Sequence, residues 1–296
     1  MNDEIRKIQQ EMERAAYITD RQVATSVFLA TALGKPLLVE GHPGVGKTEI
    51  AKVLALTLET TLIRLQCYEG LDVSTALYEW NYPRQLLHIK LGETAPGSMA
   101  DKEATLFSEA FLLKRPLLAA ITHHGPPPVL LIDEVDRSDE EFEAFLLEVL
   151  SDFQVTIPEI GTICAESRPI VVLTSNRTRE LSEALRRRCL YLWIDYPTFE
   201  KELRIVRSKV PGLNEQLARE IVGVLQSLRR MRLAKHPGVA ESLDWAAALV
   251  ALHADHLDEA MVRDTMGCVL KDEGDSQLFE SELAAGKLMA LASFAG

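Results

Sequence analysis

The stretch Gly41-His42-Pro43-Gly44-Val45-Gly46-Lys47-Thr48 constrains this chain more than any other, because a glycine, four residues, a second glycine, a lysine and a hydroxyl residue make a phosphate-binding loop. The short apolar run Pro36-Leu37-Leu38-Val39-Glu40 before it suits a buried strand. Residues 48 to 59 after it repeat Ile50, Val53, Leu54 and Leu58 at helical spacing. Strand, glycine loop and helix in that order belong to α/β folds. A loop of backbone N–H groups at the positive end of a helix dipole solvates dense negative charge without mobile side chains. Gly41, Gly44 and Gly46 let the backbone come close to phosphates, Lys47 supplies a cation to the outer ones, and Thr48 offers an oxygen ligand to Mg²⁺.

The second chemical landmark is Val129-Leu130-Leu131-Ile132-Asp133-Glu134. Four consecutive apolar residues read as a strand buried on both faces, with its carboxylates at the carboxyl end, where open α/β sheets bind ligands. Asp133 suits Mg²⁺, directly or through water, and Glu134 suits a general base on an attacking water. Residues 169–176 form a further buried strand that ends in Asn176, placed to hold that water or the outermost phosphate, or merely to turn the chain. Residues 61–67 are another strand, and strand–helix–strand order implies a parallel sheet.

Between these landmarks the signals are mixed. Residues 2 to 16 and 21 to 33 read as amphipathic helices, the second closed by Gly34. Residues 68 to 97 read as an insertion: a short helix over 72–79, then an exposed hairpin or strand over 83–90 before Gly92. Residues 104 to 120 read as a helix interrupted at Pro116, and residues 139 to 150 as a helix with Phe142, Phe145, Leu146 and Val149 on one face. Residues 153–164 are β-rich about a Pro158-Glu159-Ile160-Gly161 turn, a hairpin. Arg186, Arg187 and Arg188 end a further helix, and from residue 198 onward the chain is helical, with Trp245 read as core.

A length of 296 residues with 47% hydrophobic content allows a sizeable core and two domains. The chain lacks any run of eighteen uncharged apolar residues, and its acidic Met1-Asn2-Asp3-Glu4 start is unlike a secretory signal, so a soluble cytoplasmic protein is expected. Cys67, Cys164, Cys189 and Cys268 are far apart, without metal-ligand spacing, and read as reduced core thiols. A net charge of −12 disfavours a primary role in gripping nucleic acid.

Together the loop, the acidic strand, the asparagine-tipped strand, the arginine cluster and the helical tail resemble the AAA+ ATPases. The hairpin before the asparagine strand and the insertion at 68–97 resemble the MoxR group, with its helix-2 insert and pre-sensor hairpin. The stretches 65–72, 78–83, 173–181 and 238–245 look more particularly like CoxD-type members, tied to maturation of carbon monoxide dehydrogenase and related molybdenum hydroxylases. The resemblance implies an αβα core at 19–197 behind an N-terminal helix at 1–18, followed by an α-helical lid at 198–296. It makes Gly41–Thr48 Walker A, Asp133 and Glu134 the end of Walker B, and Asn176 sensor 1. Arg188, or alternatively Arg187, would be the arginine finger reaching a neighbouring subunit, and Arg137 a second arginine acting across that interface. Tyr17 and Ile18 would border adenine. ATP and Mg²⁺, a ring that is usually hexameric, a von Willebrand factor A-domain adaptor and a client metalloenzyme complete the implication. Many relatives carry a sensor-2 arginine at the start of the lid helix that here begins Val239-Ala240-Glu241-Ser242, where this chain has Ala or Ser. Either another residue such as Lys235 substitutes, or phosphate sensing from the lid is weak. Two other readings stand beside remodelling. One is a nucleic-acid motor or loader, which the absence of lysine and arginine from the 153–164 hairpin disfavours; the other is a nucleotide-gated scaffold with little turnover.

Overall fold

The structure, a computed structural model, describes residues 2–91 and 105–284. The chain divides into two compact units, one of Met1–Ile5, Arg21–Glu40 and Ala51–Leu192, the other of Arg6–Asp20, Gly41–Ile50 and Trp193–Gly296.

The chain begins with helices α1 (Asn2–Arg14) and α2 (Arg21–Leu33). Gly34 ends the second at φ +60°, a left-handed backbone open to glycine. Strand β1 (Leu37–Gly41), helix α3 (Lys47–Thr57) and strand β2 (Leu62–Gln66) follow. An insertion then runs through α4 (Val73–Ala76), β3 (Tyr78–Trp80), α5 (Tyr82–Leu91), β4 (Leu112–Lys114) and α6 (Pro116–Ile121), with β3 and β4 paired antiparallel. Next come β5 (Val129–Asp133), α7 (Glu140–Asp152), the hairpin of β6 (Gln154–Ile157) and β7 (Gly161–Cys164), β8 (Ile170–Ser175), α8 (Glu183–Arg188) and β9 (Leu190–Ile194).

The main sheet has the order β2-β5-β8-β1-β9, and β2–β5, β5–β8 and β8–β1 pair in parallel. Its central strands are apolar because both faces are covered: every residue of β5 is buried, and burying one Val, Leu or Ile side chain stabilises by about 1.5–3 kcal/mol. Leu130, Ile132, Val171 and Leu173 pack in one core with Leu117 and Leu118 of α6 and Phe142, Leu146 and Val149 of α7. Parallel pairing puts the carboxyl ends of β5 and β8 at one edge of the sheet, so Asp133 and Ser175 end neighbouring strands.

The second unit carries the helical part: α9 (Phe199–Lys209), α10 (Glu215–Leu228), α11 (Val239–Ala251), α12 (Glu259–Thr265) and α13 (Glu273–Ala284). Leu203, Val206, Ile221, Val222, Leu225, Trp245, Leu249 and Phe279 form its core. Trp245 is fully buried and its indole N–H donates to Thr265 Oγ1 at 2.7 Å, so it is a core residue, as its setting in the sequence implies.

Three stretches differ from the sequence expectation: the helix expected over 72–79 covers only Val73–Ala76 and gives way to strand β3 at Tyr78, and the other two differ because of proline. Residues 83–90 lie in helix α5 rather than in a hairpin or strand; Pro83 is its second residue, where the missing N–H would have no helical partner anyway. Pro116 opens α6 instead of interrupting a longer helix, and Leu112–Lys114 before it is strand. Leu190–Ile194, unassigned from sequence, is the sheet's β9 edge strand. Of the four cysteines, all free, Cys67 is buried but Cys164 is exposed at the end of β7, so it is not a core thiol. Gly92, Ala104 and the tail beyond residue 284 lie outside the described residues.

Candidate functional site

In the first unit, Asp133, Glu134 and Asn176 come together at the ends of β5 and β8. Asp133 is buried, and its Oδ1 accepts from Thr174 Oγ1 at 2.5 Å. The same Thr174 oxygen accepts from the Glu134 N–H at 2.9 Å, so one hydroxyl from the neighbouring strand orients both acids. Glu134 has φ +55°, a left-handed conformation that a non-glycine residue keeps only when its surroundings impose it. That kink starts the 3-10 turn Val135–Arg137. The Glu134 carboxylate accepts from Gln66 Nε2 at 3.1 Å and from Asn176 Nδ2 at 3.4 Å, and pairs with Arg137 Nε at 3.2 Å.

Four residues with no assigned role in the sequence complete this cluster. Gln66 stands opposite Asp133 in the β2–β5 register, and Arg64, two residues earlier, shares its face of the strand. Arg64 Nη2 donates to Asp133 Oδ2 at 2.6 Å and to Gln66 Oε1 at 2.5 Å, so β2 holds both acids through one linked pair of side chains. Thr174 is the third. Asp136, 2% exposed, is the fourth: it accepts from the N–H groups of Asn176 at 3.2 Å and Thr178 at 2.8 Å, and from Thr178 Oγ1 at 2.7 Å. It thereby stitches the loop after β8 to the turn after β5. The polar residues two apart at the tip of β2 and the third acid of Asp133-Glu134-Val135-Asp136 were the visible signals. Burial, helped by the charges of Asp133, Asp136 and Glu134, pushes the Cys67 thiol up to about 12, which leaves it inert among these acids.

The second unit holds the glycine loop. Gly44 and Gly46 take φ +73° and +92°, left-handed angles that explain glycine at these two positions. The buried Lys47 amine donates to the carbonyls of Gly41 at 2.9 Å and His42 at 2.7 Å, which holds the cation back across its own loop. Thr48 is half-buried in the first turn of α3, Val45 is buried and Pro43 exposed. His42 stacks on Tyr196, ring centres 4.3 Å apart and 10° from parallel. Tyr17 lies beside the loop, its ring edge 3.8 Å from where a Gly46 Cβ would stand, with Ile18 half-buried next to it. Burial, then Asp20 and Glu49, push the Tyr17 phenol well above its ordinary range, so it stays neutral. A buried cation with its donors turned inward, glycines in left-handed geometry and a hydroxyl at a helix start fit a triphosphate with its divalent metal.

The arginines differ among themselves. Arg187 pairs with Glu183 at 2.5 Å on the exposed face of α8, and Arg188 next to it is exposed. Arg137 is turned onto Glu134 of its own chain. Lys235 is exposed, and its backbone N–H donates to Asp275. Among the described residues no helix is long and apolar enough to cross a membrane.

The chain is 24% identical over 226 residues to the denitrification regulatory protein NirQ of Pseudomonas aeruginosa, covering 73% of this chain and 76% of that one. It is 30% identical over 139 residues to the chaperone protein ClpB 2 of Parasynechococcus marenigrum, 46% of this chain but only 13% of that far longer relative. Among solved structures, a RuvB mutant from Thermotoga maritima superposes with a TM-score of 0.52 at 18% identity over 98% of this chain and 81% of that one, a likeness of fold. The family described as ATPase family associated with various cellular activities (AAA) matches residues 37–193, more than half of the length, and this chain belongs to it.

Proposed function

We propose that this chain is a Mg²⁺-dependent ATPase that works in a ring to remodel a client protein. The observation that carries the reading is the Glu134 carboxylate, kinked out of β5 and bonded by Gln66, Asn176 and Arg137. A carboxylate oriented that closely is suited to polarise a water for attack on a phosphorus atom. Lys47 and the backbone N–H groups of residues 44 to 48, in the loop Gly41–Thr48, would bind the triphosphate, Tyr17 and Ile18 would border the base, and Asn176 would hold the attacking water. Thr48 and Asp133 would hold Mg²⁺, which when bound neutralises charge on the phosphate oxygens. Arg188, exposed at the end of α8, suits a finger supplied to a neighbouring copy better than Arg187, which is tied to Glu183. In this reading residues 19–197 are the nucleotide-binding core, 198–296 the lid and 1–18 an N-terminal helix.

The client role rests on likeness. NirQ is a regulatory protein of denitrification and ClpB 2 a chaperone, and both names suit a machine that acts on other proteins. Within that class we place the chain in the MoxR group near its CoxD-type members, in the cytoplasm, as a hexamer with a von Willebrand factor A-domain adaptor and a metalloenzyme client. Two experiments test this. Lys47→Ala should lose binding of a fluorescent ATP analogue, and unchanged affinity would remove the loop from the mechanism. Capture with a Glu134→Gln variant held in the ATP state should retain a metalloenzyme; retention of DNA instead would favour a nucleic-acid motor.

A further inference from the structure

The first turn of α11, which lacks the lid arginine of many relatives, is packed against the glycine loop itself. The N–H groups of Val239 and Ala240 both donate to the Gly44 carbonyl, at 2.9 and 3.2 Å. A Cβ on Gly238 would lie 2.7 Å from the Pro43 carbonyl oxygen and 2.9 Å from Gly44 Cα, closer than any side chain tolerates. Gly238 has φ −85°, which any residue adopts, so it is the loop that excludes a side chain there and not the glycine's own backbone. Nor is a cation aimed at the loop from this turn: Glu241 caps the Gly238 N–H at 2.8 Å, and its carboxylate would be 3.1 Å from a Gly44 Cβ.

Behind this contact lies a buried ion pair without an assigned role. Arg229 makes two parallel bonds to Glu202, 2.6 and 2.7 Å, with the glutamate fully buried and the arginine side chain 6% exposed. The same guanidinium donates to the Pro237 carbonyl at 2.7 Å and to that of Gly238 at 3.3 Å, which fixes the two residues that meet the loop. Ser242 Oγ and Gln226 Nε2 donate to Glu202 at 2.6 and 2.8 Å, tying α9, α10 and α11 to one carboxylate. On its other side Arg229 lies 5.0 Å from the centre of the Tyr196 ring, the ring that stacks on His42. Arg229 thus reaches the glycine loop by two routes, through Gly238 to Gly44 and through Tyr196 to His42.

We infer that the helical bundle senses nucleotide through the backbone of the glycine loop, and that Arg229, paired with Glu202, is the positioning residue that does what a lid arginine on the terminal phosphate does elsewhere. The inference rests on the proposed ATP site and extends it. A phosphate that shifts Gly44 or His42 must shift residues 237–242, because neither contact has slack.

The test uses the full-length protein and two readouts: affinity for fluorescent ATP and ADP analogues with Mg²⁺, and amide hydrogen exchange over residues 236–243. In the wild type, ATP should slow exchange over that segment at least tenfold. Gly238→Ala should raise the Kd for ATP at least tenfold with an unchanged circular dichroism spectrum. Arg229→Lys, which keeps the charge but loses the fork, should abolish the exchange response and bring the ATP and ADP affinities within twofold of each other. If Arg229→Lys fails to fold, Tyr196→Leu, which leaves the buried pair intact, should reduce the response at least threefold. ATP binding by the wild type without an exchange response, an unchanged Kd in Gly238→Ala, or an undiminished response in a folded Arg229→Lys or in Tyr196→Leu overturns the inference and leaves the ATPase reading standing. No ATP binding by the wild type overturns both.

Discussion

Asp136 gives the sharpest test of how the cluster around Glu134 is held. Its carboxylate is the acceptor for two backbone N–H groups, of Asn176 and Thr178, and for the Thr178 hydroxyl, and only 2% of the residue is exposed. In Asp136→Ala the hydroxyl can rotate away but the two amides cannot. A buried donor left without an acceptor costs about 1–3 kcal/mol, so the pair predicts a loss of about 2–6 kcal/mol, a large share of a typical total of about 5–15 kcal/mol. Asp136→Asn keeps one acceptor oxygen and should lose about half as much. Urea unfolding measures both, and midpoints equal to the wild type would refute the network. Asn176 would also lose its anchor, and a displacement of about 1 Å at a positioning group costs about 100-fold in rate. Turnover of Asp136→Asn should therefore fall about 100-fold while the Kd for ATP, set by Lys47 and the loop amides, changes less than about threefold. Full turnover in a stably folded Asp136→Asn would show that this carboxylate does not position Asn176.

Two further outcomes follow from named groups. Burial holds the Cys67 and Cys189 thiols up at about 12, above their ordinary value of 9.0, so the folded chain keeps protons that the unfolded chain releases. Stability from these thiols is intact below about pH 9 and is lost as the pH rises towards about 12, at up to about 1.4 kcal/mol per pH unit for each; a Cys67→Ala/Cys189→Ala variant should show a shallower alkaline loss in urea unfolding, and an identical slope would contradict the burial argument. Arg188→Ala should bind ATP normally and turn it over at least about 1000-fold more slowly, the scale of an arginine finger. Mixing it with Glu134→Gln, which retains Arg188, should restore part of the turnover, and no restoration at any ratio would mean that Arg188 does not act on a neighbouring copy.

Local chemistry made part of this molecule readable from its sequence. The apolar runs of β5 and β8 suit doubly buried strands, and a glycine loop between a strand and a helix suits the binding of phosphate. Asp133, Glu134 and Asn176 stand out because each lies at the end of such a strand or one residue beyond it. What the sequence hid depends on pairing between distant segments. Arg64 and Gln66 look like ordinary residues of a half-exposed strand until the β2–β5 register sets Gln66 against Asp133. Thr174 and Asp136 gain their roles only from contacts 40 and 41 residues away in the chain. Pro116 is ambiguous for a different reason: proline stops a helix from inside and starts one from its first turn, and composition does not say which, while at 83–90 a proline in the first turn of a helix looks no different from one that opens a strand. The dependence of residues 237–238 on Arg229 joins a loop to a buried pair with no spacing rule to announce it.

The central claim is that Glu134 drives the attack of water on the terminal phosphate of ATP, and Glu134→Gln tests it with the least disturbance of shape. Phosphate release under single-turnover conditions, with ATP affinity measured on the same sample, should fall about 100- to 10,000-fold while the Kd stays within about threefold, since general-base assistance contributes rates of that order. Phosphate release at the wild-type rate from a folded Glu134→Gln protein that binds ATP would contradict the account.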